Sequence, residues 1–369
     1  MPLIDFCSCG CGGGFRRLLP RPRPNQSRAY TVDVHAHVMD LAVERMVADH
    51  PLRAEERAQT ARSLGADSAA YNARTLAPAV LEPLTDTGRR LADMGEMGVD
   101  MQLLSPAPGQ YCYWADEPLA QRIVEQQNGA LAALCSEHPT RFMALGNIAL
   151  QHPALAVSQL RRAVVEHGLV GVEVSSAIEG RELSDPSHES FWAAANELQC
   201  VVFIHPLGTS AWPRLDSAYL TNAVGQPFET TVALSRLIFA GVLDRYPDVR
   251  ILAAHGGGYL PSYVGRTDHA YCVRPDARRA GHRPSDYLKR LWFDSVVHEP
   301  LQLRHLIDTV GADRIAVGSD YPYDMGMYDI HGFLAAVPGI TAAETAQLCH
   351  ANAQRLIGRN LPVSRQPVA

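Results

Sequence analysis

Between Tyr30 and Ile357 the sequence alternates eight short apolar runs with segments of helical periodicity, and this alternation constrains the fold more than anything else in the chain. The predicted strands are residues 30–34 (running on into His35 and His37), 101–105, 142–148, 170–175, 201–205, 249–255, 291–296 and 315–320. Val201-Val202-Phe203-Ile204 is apolar at every position, as a parallel strand buried on both faces must be. The intervening segments carry helix signals. Pro118 stands at the first position of a helix bearing Leu119, Ile123, Gln127, Leu131 and Leu134 at helical spacing, and Gly98 and Gly168 sit where two other helices should stop. Eight such units predict an α/β chain folded as a (β/α)8 TIM barrel. A βα connection needs only ~2–6 residues, so the stretch from about 38 to 85 reads as an insertion after strand 1. It shows helical patches but no apolar alternation, and is expected to be an irregular, substrate-covering lid. Residues 207–227 form a second insertion. With no repeat and no linker, residues 30–360 are predicted to be one domain, followed by a short tail over 361–369.

Composition narrows the function classes. Apolar residues make up 47% of the chain and charged residues 20%, and the net charge of −6 leaves no basic stripe for nucleic acid. No apolar run approaches the ~18–20 residues of a membrane span. Of eight cysteines, Cys112, Cys135, Cys200, Cys272 and Cys349 are scattered without C-x-x-C pairing, which suits reduced thiols in a cytoplasmic protein. Cys7, Cys9 and Cys11 lie in a Gly-, Pro- and Arg-rich segment, residues 1–29, which is expected to be a flexible tail; it lacks the apolar core of a signal peptide.

The informative residues stand where the strands end. Strand 1 runs into His35 and His37, strand 5 ends on His205, strand 6 on His255 and strand 8 on Asp320. Residues i and i+2 of a strand share a face, so both imidazoles of His35-Ala36-His37 project together. Alone, that pair is equally compatible with two partly buried polar residues. Five metal-capable side chains at the ends of four strands of one barrel are not explained by packing, because reacting groups of such barrels collect at the C-terminal strand ends. Three imidazoles and one carboxylate would leave a divalent ion net positive with room for one water. Such a site lowers the pKa of that water to about 7.

The order His-x-His, His, His, Asp resembles the amidohydrolase superfamily. Its binuclear members use a carboxylated lysine after strand 4; the only lysine here is Lys289, before strand 7, so a mononuclear site is expected. Longer stretches resemble the decarboxylase branch typified by aminocarboxymuconate-semialdehyde decarboxylases. These are Tyr113-Trp114-Ala115, His205-Pro206, Ala254-His255-Gly256-Gly257-Gly258, Gly265-Arg266, Arg274-Pro275-Asp276, Asp294 to Pro300 and Gly318-Ser319-Asp320-Tyr321-Pro322. The resemblance implies Zn²⁺, with Mn²⁺ as the alternative, held by His35, His37, His205 and Asp320. It implies His255 as general acid and base, with Asp320 beside it in the catalytic machinery. It further implies substrate carboxylates bound by Arg74 and, from a neighbouring subunit of a homodimer, by Arg266 and Arg274. The chain departs from the family pattern in two places. Tyr71-Asn72-Ala73-Arg74-Thr75-Leu76 stands where relatives carry Phe-Arg-x-Val, and no tryptophan closely follows His205-Pro206, the nearest being Trp212.

The activity expected on this basis is metal-dependent, non-oxidative decarboxylation of an unsaturated or aromatic carboxylic acid. A metal-dependent hydrolase or hydratase acting on a related ring-cleavage product is the alternative, and a catalytically silent barrel a third reading.

Overall fold

A computed structural model describes residues 28–361. The cysteine-bearing segment around Cys7, Cys9 and Cys11 and residues 362–369 lie outside the described residues. Eight parallel strands follow one another around a single sheet in chain order. They are β1 (Val32–Val38), β2 (Met101–Pro106), β3 (Phe142–Gly146), β4 (Gly171–Val174), β5 (Val201–Ile204), β6 (Arg250–Ala253), β7 (Trp292–Asp294) and β8 (Ile315–Ala316). The ring closes between its first and last members through backbone bonds: Val34 N–H to Val317 O at 2.8 Å, Asp320 N–H to His35 O at 2.8 Å and His37 N–H to Tyr321 O at 2.7 Å. The architecture is the (β/α)8 barrel that the alternation predicts.

A bulge in β1 decides what enters the barrel. Val32 pairs with Met101 and His37 with Ser105, but the register shifts between Asp33 and Ala36. Met101 and Ser105 are four residues apart and share a face, so Val32 and His37 also share the interior face although five residues separate them. Asp33, in sequence phase with the histidines, is thereby turned to the other face. Its carboxylate holds the bulge by accepting from His35 N (3.1 Å), Gln102 Nε2 (3.0 Å), Ser319 N (3.0 Å) and Ser319 Oγ (2.6 Å). The lower interior is filled by Met101, Leu103, Leu145, Val201, Phe203 and Leu252, all buried. A larger apolar layer lies between the strands and the surrounding helices.

The helices obey their end signals. Glu117–Glu137 begins after Asp116, whose side chain accepts from Leu119 N, and Thr87–Met97 ends on Gly98 at φ 72°. No helix among the described residues is long and apolar enough to cross a membrane.

The insertion after β1 differs from expectation. It is helical almost throughout: Leu41–Val47, Pro51–Leu64, Ala66–Tyr71, a π-helical turn Asn72–Leu76, and Ala77–Thr85. The Pro51–Leu64 helix gives no apolar stripe because its buried residues are Arg53 and Ser63. Arg53 is held by Glu44 (2.8 Å), Glu56 (2.6 Å) and the Gly109 carbonyl (2.6 Å), so this helix is anchored by ion pairs where periodicity looks for hydrocarbon. Thr221 Oγ1 donates to Ser63 O at 2.6 Å, joining the two insertions. Further along, Leu76, Val80 and Leu84 pack with Ala107, Tyr71 and Tyr323 at the strands' C-terminal end.

Gly171 marks the tightest strand contact, since a Cβ there would lie 1.9 Å from the Val201 carbonyl oxygen. Gly171→Ala must therefore separate β4 from β5. A loss on the order of 3 kcal/mol is expected, read as a fall of several degrees in thermal midpoint or as insoluble expression.

Candidate active site

Each side chain at the centre of the barrel mouth is delivered by a strand end. His35 and His37 come from β1, His205 directly follows β5, His255 lies two residues past β6, and Asp320 lies four residues past β8. The ligating atoms of His35, His37, His205 and Asp320 all lie within 4.8 Å of one another, and all four residues are buried. His35 Nε2 and His37 Nε2 stand 3.1 Å apart, and each is 3.3 Å from Asp320 Oδ1. The His205 ring lies 5.0 Å from that of His35 and 4.8 Å from that of His37, centroid to centroid, and Phe203 closes the floor at 4.9 Å from His35.

Two observations test whether a cation fits here. Both ring nitrogens of His205 are buried without a hydrogen-bond partner among the described residues, a costly arrangement unless something binds there. Electrostatics point the same way. Burial would lower the pKa of His35, yet the adjoining Asp320 and Asp294 carboxylates outweigh it and push it up to about 10. Asp320 is held well below the usual carboxylate range, burial being overcome by His35, His255 and His37. Burial and the neighbouring imidazoles lower the pKa of His37 and His205, which keeps those two rings neutral as ligands must be, and three imidazoles with one carboxylate are a donor set for one divalent ion.

His255 is different from the other histidines. Its side chain is 16% exposed while those of His35 and His37 are fully covered, so it faces the open side of the cluster. Its Nε2 is 3.7 Å from Asp320 Oδ2, and its Nδ1 has no partner among the described residues. His255 and Asp320 both adopt positive φ, 55° and 57°, a conformation that non-glycine residues occupy at a cost and that clusters at functional sites. The turn that carries His255 continues through Gly256, Gly257 and Gly258 at φ 61°, 78° and 64°, a path that three consecutive side chains would strain.

Asp294, the last residue of β7, has no role in the strand-end pattern above, yet it ties the cluster together. Its Oδ2 lies 2.6 Å from His35 Nδ1 and accepts from His255 N at 2.9 Å; its Oδ1 accepts from Gly256 N (2.8 Å) and Val296 N (3.1 Å). With Nδ1–H donated to Asp294, Nε2 is the nitrogen that His35 turns to the centre, and it would be bare once an ion displaced its proton. The available signal was a carboxylate closing an apolar strand, the same signal that Asp320 gives. Arg90, also unassigned from sequence, is completely covered. It donates to the carbonyls of His37 and Pro83 and to Gln102 Oε1, and its guanidinium stacks 4.8 Å from the Tyr321 ring, fastening the end of β1 to the insertion.

None of the three arginines makes a hydrogen bond or ion pair with this cluster among the described residues. Arg74 is exposed on the π-helical turn and makes no ion pair among the described residues. Arg266 is exposed on the helix Leu260–Val273, and Arg274, just beyond it, pairs with Asp276 at 3.0 Å. Trp212 lies in a short turn, Trp212–Arg214, well beyond His205. Besides Phe203 on the floor, Tyr323 borders the cluster, its ring 5.5 Å from His37.

Asp294→Asn isolates the carboxylate's function. With Oδ1 kept as acceptor for Gly256 and Val296, the amide would turn its NH₂ toward His35 Nδ1, favouring the tautomer with hydrogen on Nε2 and giving up the bond from His255 N–H. Divalent-metal affinity is expected to fall about 10–100-fold in a folded protein, measured by competition with a chromophoric chelator.

The sequence of residues 32–359 matches the family model described as Amidohydrolase. A 2-amino-3-carboxymuconate-6-semialdehyde decarboxylase of Dictyostelium discoideum is 32% identical over 277 residues, covering 74% of this chain and 75% of the relative. Among solved structures, the 5-carboxyvanillate decarboxylase of Sphingomonas paucimobilis superposes with a TM-score of 0.78 at 25% identity, covering 90% of this chain and 100% of that one. The 5-carboxyvanillate decarboxylase of Novosphingobium aromaticivorans, complexed with manganese and 4-hydroxy-3-methoxy-5-nitrobenzoic acid, shares the fold with a TM-score of 0.79 at 24% identity, covering 89% and 96%. The chain belongs to the amidohydrolase family, in the branch of its metal-dependent decarboxylases.

Proposed function

We propose that this protein is a mononuclear metal-dependent carboxy-lyase that removes CO₂ from an unsaturated or aromatic carboxylic acid. The observation that carries the reading is the convergence of His35, His37, His205 and Asp320 on one point, with both nitrogens of His205 otherwise orphaned. Those four residues would hold the ion, which supplies Lewis-acid polarisation when bound. The donor set suits Zn²⁺, the ion we assign, and also accepts the manganese found in the structural neighbour.

His255 is the proposed proton carrier, as the cluster histidine open to the cavity and the one whose Nδ1 is uncommitted. Non-oxidative decarboxylation needs one proton delivered to carbon. The bond to the carboxylate breaks, its electron pair stays on the ring or alkene carbon, and that carbon takes a proton from the imidazolium while CO₂ leaves. Histidine handles this traffic near neutral pH. Asp320 Oδ2 lies 3.7 Å from His255 Nε2, at the edge of the same cluster.

The substrate carboxylates need cations, and the guanidinium fork matches them. Arg266 and Arg274 are exposed, on and just beyond the helix that follows His255, beside the exposed Tyr263 and Val273, and that exposure is what supports assigning them to a neighbouring copy. This supports a homodimer in which Arg266 and Arg274 complete the partner's site, and Arg74 is assigned to the same chain's substrate. The five described cysteines are all free, in keeping with a reducing cytoplasm.

The test is product analysis on a panel of muconate semialdehydes and hydroxybenzoates. Loss of CO₂ is expected, abolished by chelation, restored by Zn²⁺ or Mn²⁺, and absent in His255→Ala; a product heavier by water would replace this reading with a hydrolase or hydratase. The shared-site arrangement has its own test. Arg266→Ala and His255→Ala are each expected to be inactive, whereas co-refolded mixtures recover about a quarter of wild-type activity, because half the dimers are mixed and each restores one intact site.

A further inference from the structure

His35 and His37 turn Nε2 toward the same point, so in both rings the ligating tautomer carries its proton on Nδ1. Asp294 secures that tautomer for His35 with a carboxylate at 2.6 Å. Behind His37 the arrangement is incomplete. Its Nδ1 has only two neutral groups within reach, the Pro106 carbonyl at 3.3 Å and Ser105 Oγ at 3.2 Å. Beyond them, 3.8 Å from Nδ1, lies the carboxyl of Glu173.

Glu173 stands in the middle of β4 in register with Phe203 of β5, and therefore on the interior face of the barrel. It is entirely covered, between Val172 and Val174 in sequence, where packing alone calls for hydrocarbon. Neither of its oxygens makes a well-formed hydrogen bond among the described residues, nor does the buried hydroxyl of Tyr111, although Tyr111 and Ser105 both stand close enough to act on the carboxyl. Burial pushes this carboxyl up to about 8. A buried polar group left unmatched costs about 1–3 kcal/mol, and nothing described so far uses this one. Four groups thus surround one spot with their hydrogen bonds unmade or stretched: Glu173, Tyr111, Ser105 and His37 Nδ1.

We propose that Glu173 is the positioning residue of His37, accepting its Nδ1–H directly and through the Ser105 hydroxyl, with the Tyr111 O–H as second donor. Each β1 histidine then has its own carboxylate behind it, Asp294 for His35 and Glu173 for His37. A movement of about 1 Å by the carboxyl brings the 3.8 Å separation to hydrogen-bond length. The inference rests on the metal reading above and extends it to a side chain that never touches ion or substrate.

The experiment compares full-length wild type, Glu173→Leu and Glu173→Gln. Zn²⁺ or Mn²⁺ alone is the probe, titrated against a chromophoric chelator, alongside thermal melting of the metal-free proteins. Wild type is expected to bind one ion per chain and Glu173→Leu to bind it about 10–100-fold more weakly. Metal-free Glu173→Leu is expected to melt at or above the wild-type temperature, because hydrocarbon replaces an unpaired buried carboxyl. Glu173→Gln, whose amide oxygen still accepts from Nδ1–H, should lose less affinity than the leucine variant. A purely structural glutamate gives the reverse signature, a lower melting temperature with affinity unchanged. That result, or affinity within about twofold of wild type in both variants, overturns the proposal. Should Glu173→Leu fail to fold, Glu173→Val, which likewise lacks an acceptor, is read in its place by the same two criteria. A wild-type protein that binds no ion would overturn the metal reading itself; the other failures all leave the wild-type stoichiometry intact.

Discussion

The geometry of the barrel mouth depends on a single carboxylate, that of Asp294. It receives hydrogen bonds from three parts of the ring at once: the His35 imidazole on β1, the backbone of His255 and Gly256 beyond β6, and the backbone of Val296 beyond its own strand. An ionised group buried this deeply is tolerated only when its lone pairs are all engaged, and here burial is outweighed by His35 so that the carboxyl stays below its ordinary range. One group therefore sets the tautomer of a proposed ligand and the position of the proposed proton carrier. Neither could be relocated independently of the other.

Around that point the chain separates two tasks. The strands hold the cluster with backbone closure bonds and buried carboxylates, and they leave little freedom. The two insertions, joined through Thr221 and Ser63, hold the approach to it. Both departures from the family pattern, at Arg74 and at the position after His205-Pro206, fall in or beside these insertions, and Tyr323 takes an aromatic place next to His37. On the proposed reading, chemistry and substrate choice would thus be carried by different segments, as befits a barrel that hosts its reacting groups on strand ends and loops.

What the sequence disclosed follows from the same division. Strands 1, 5, 6 and 8 were legible because an apolar run that stops abruptly on His or Asp is a pattern packing does not produce. Glu173 was not, since it interrupts β4 instead of ending it. Asp294 is hidden in the sequence because its strand end lies inside a longer run, Leu291 to Val296. Helix Pro51–Leu64 escaped periodicity because an arginine held by Glu44 and Glu56 does the work of its apolar stripe. Arg266 and Arg274 came from the resemblance alone, for nothing in an exposed arginine's own sequence distinguishes a surface charge from a group reserved for a neighbouring molecule.

The bulge in β1 also bears on how such a strand finds its place while the protein folds. Val32, Asp33, Val34 and His35 alternate regularly, and a straight pairing anchored at His37 would bring Asp33 level with Met101 and into the apolar lower barrel. Depositing an unpaired carboxylate among Met101, Leu103 and Phe203 costs several kcal/mol. The kinked alignment instead gives that carboxylate four donors. Asp33 thus acts as an alignment key. A strand seated one step out of place would forfeit those four bonds, and the position of the histidines is tied to where that carboxylate finds its donors.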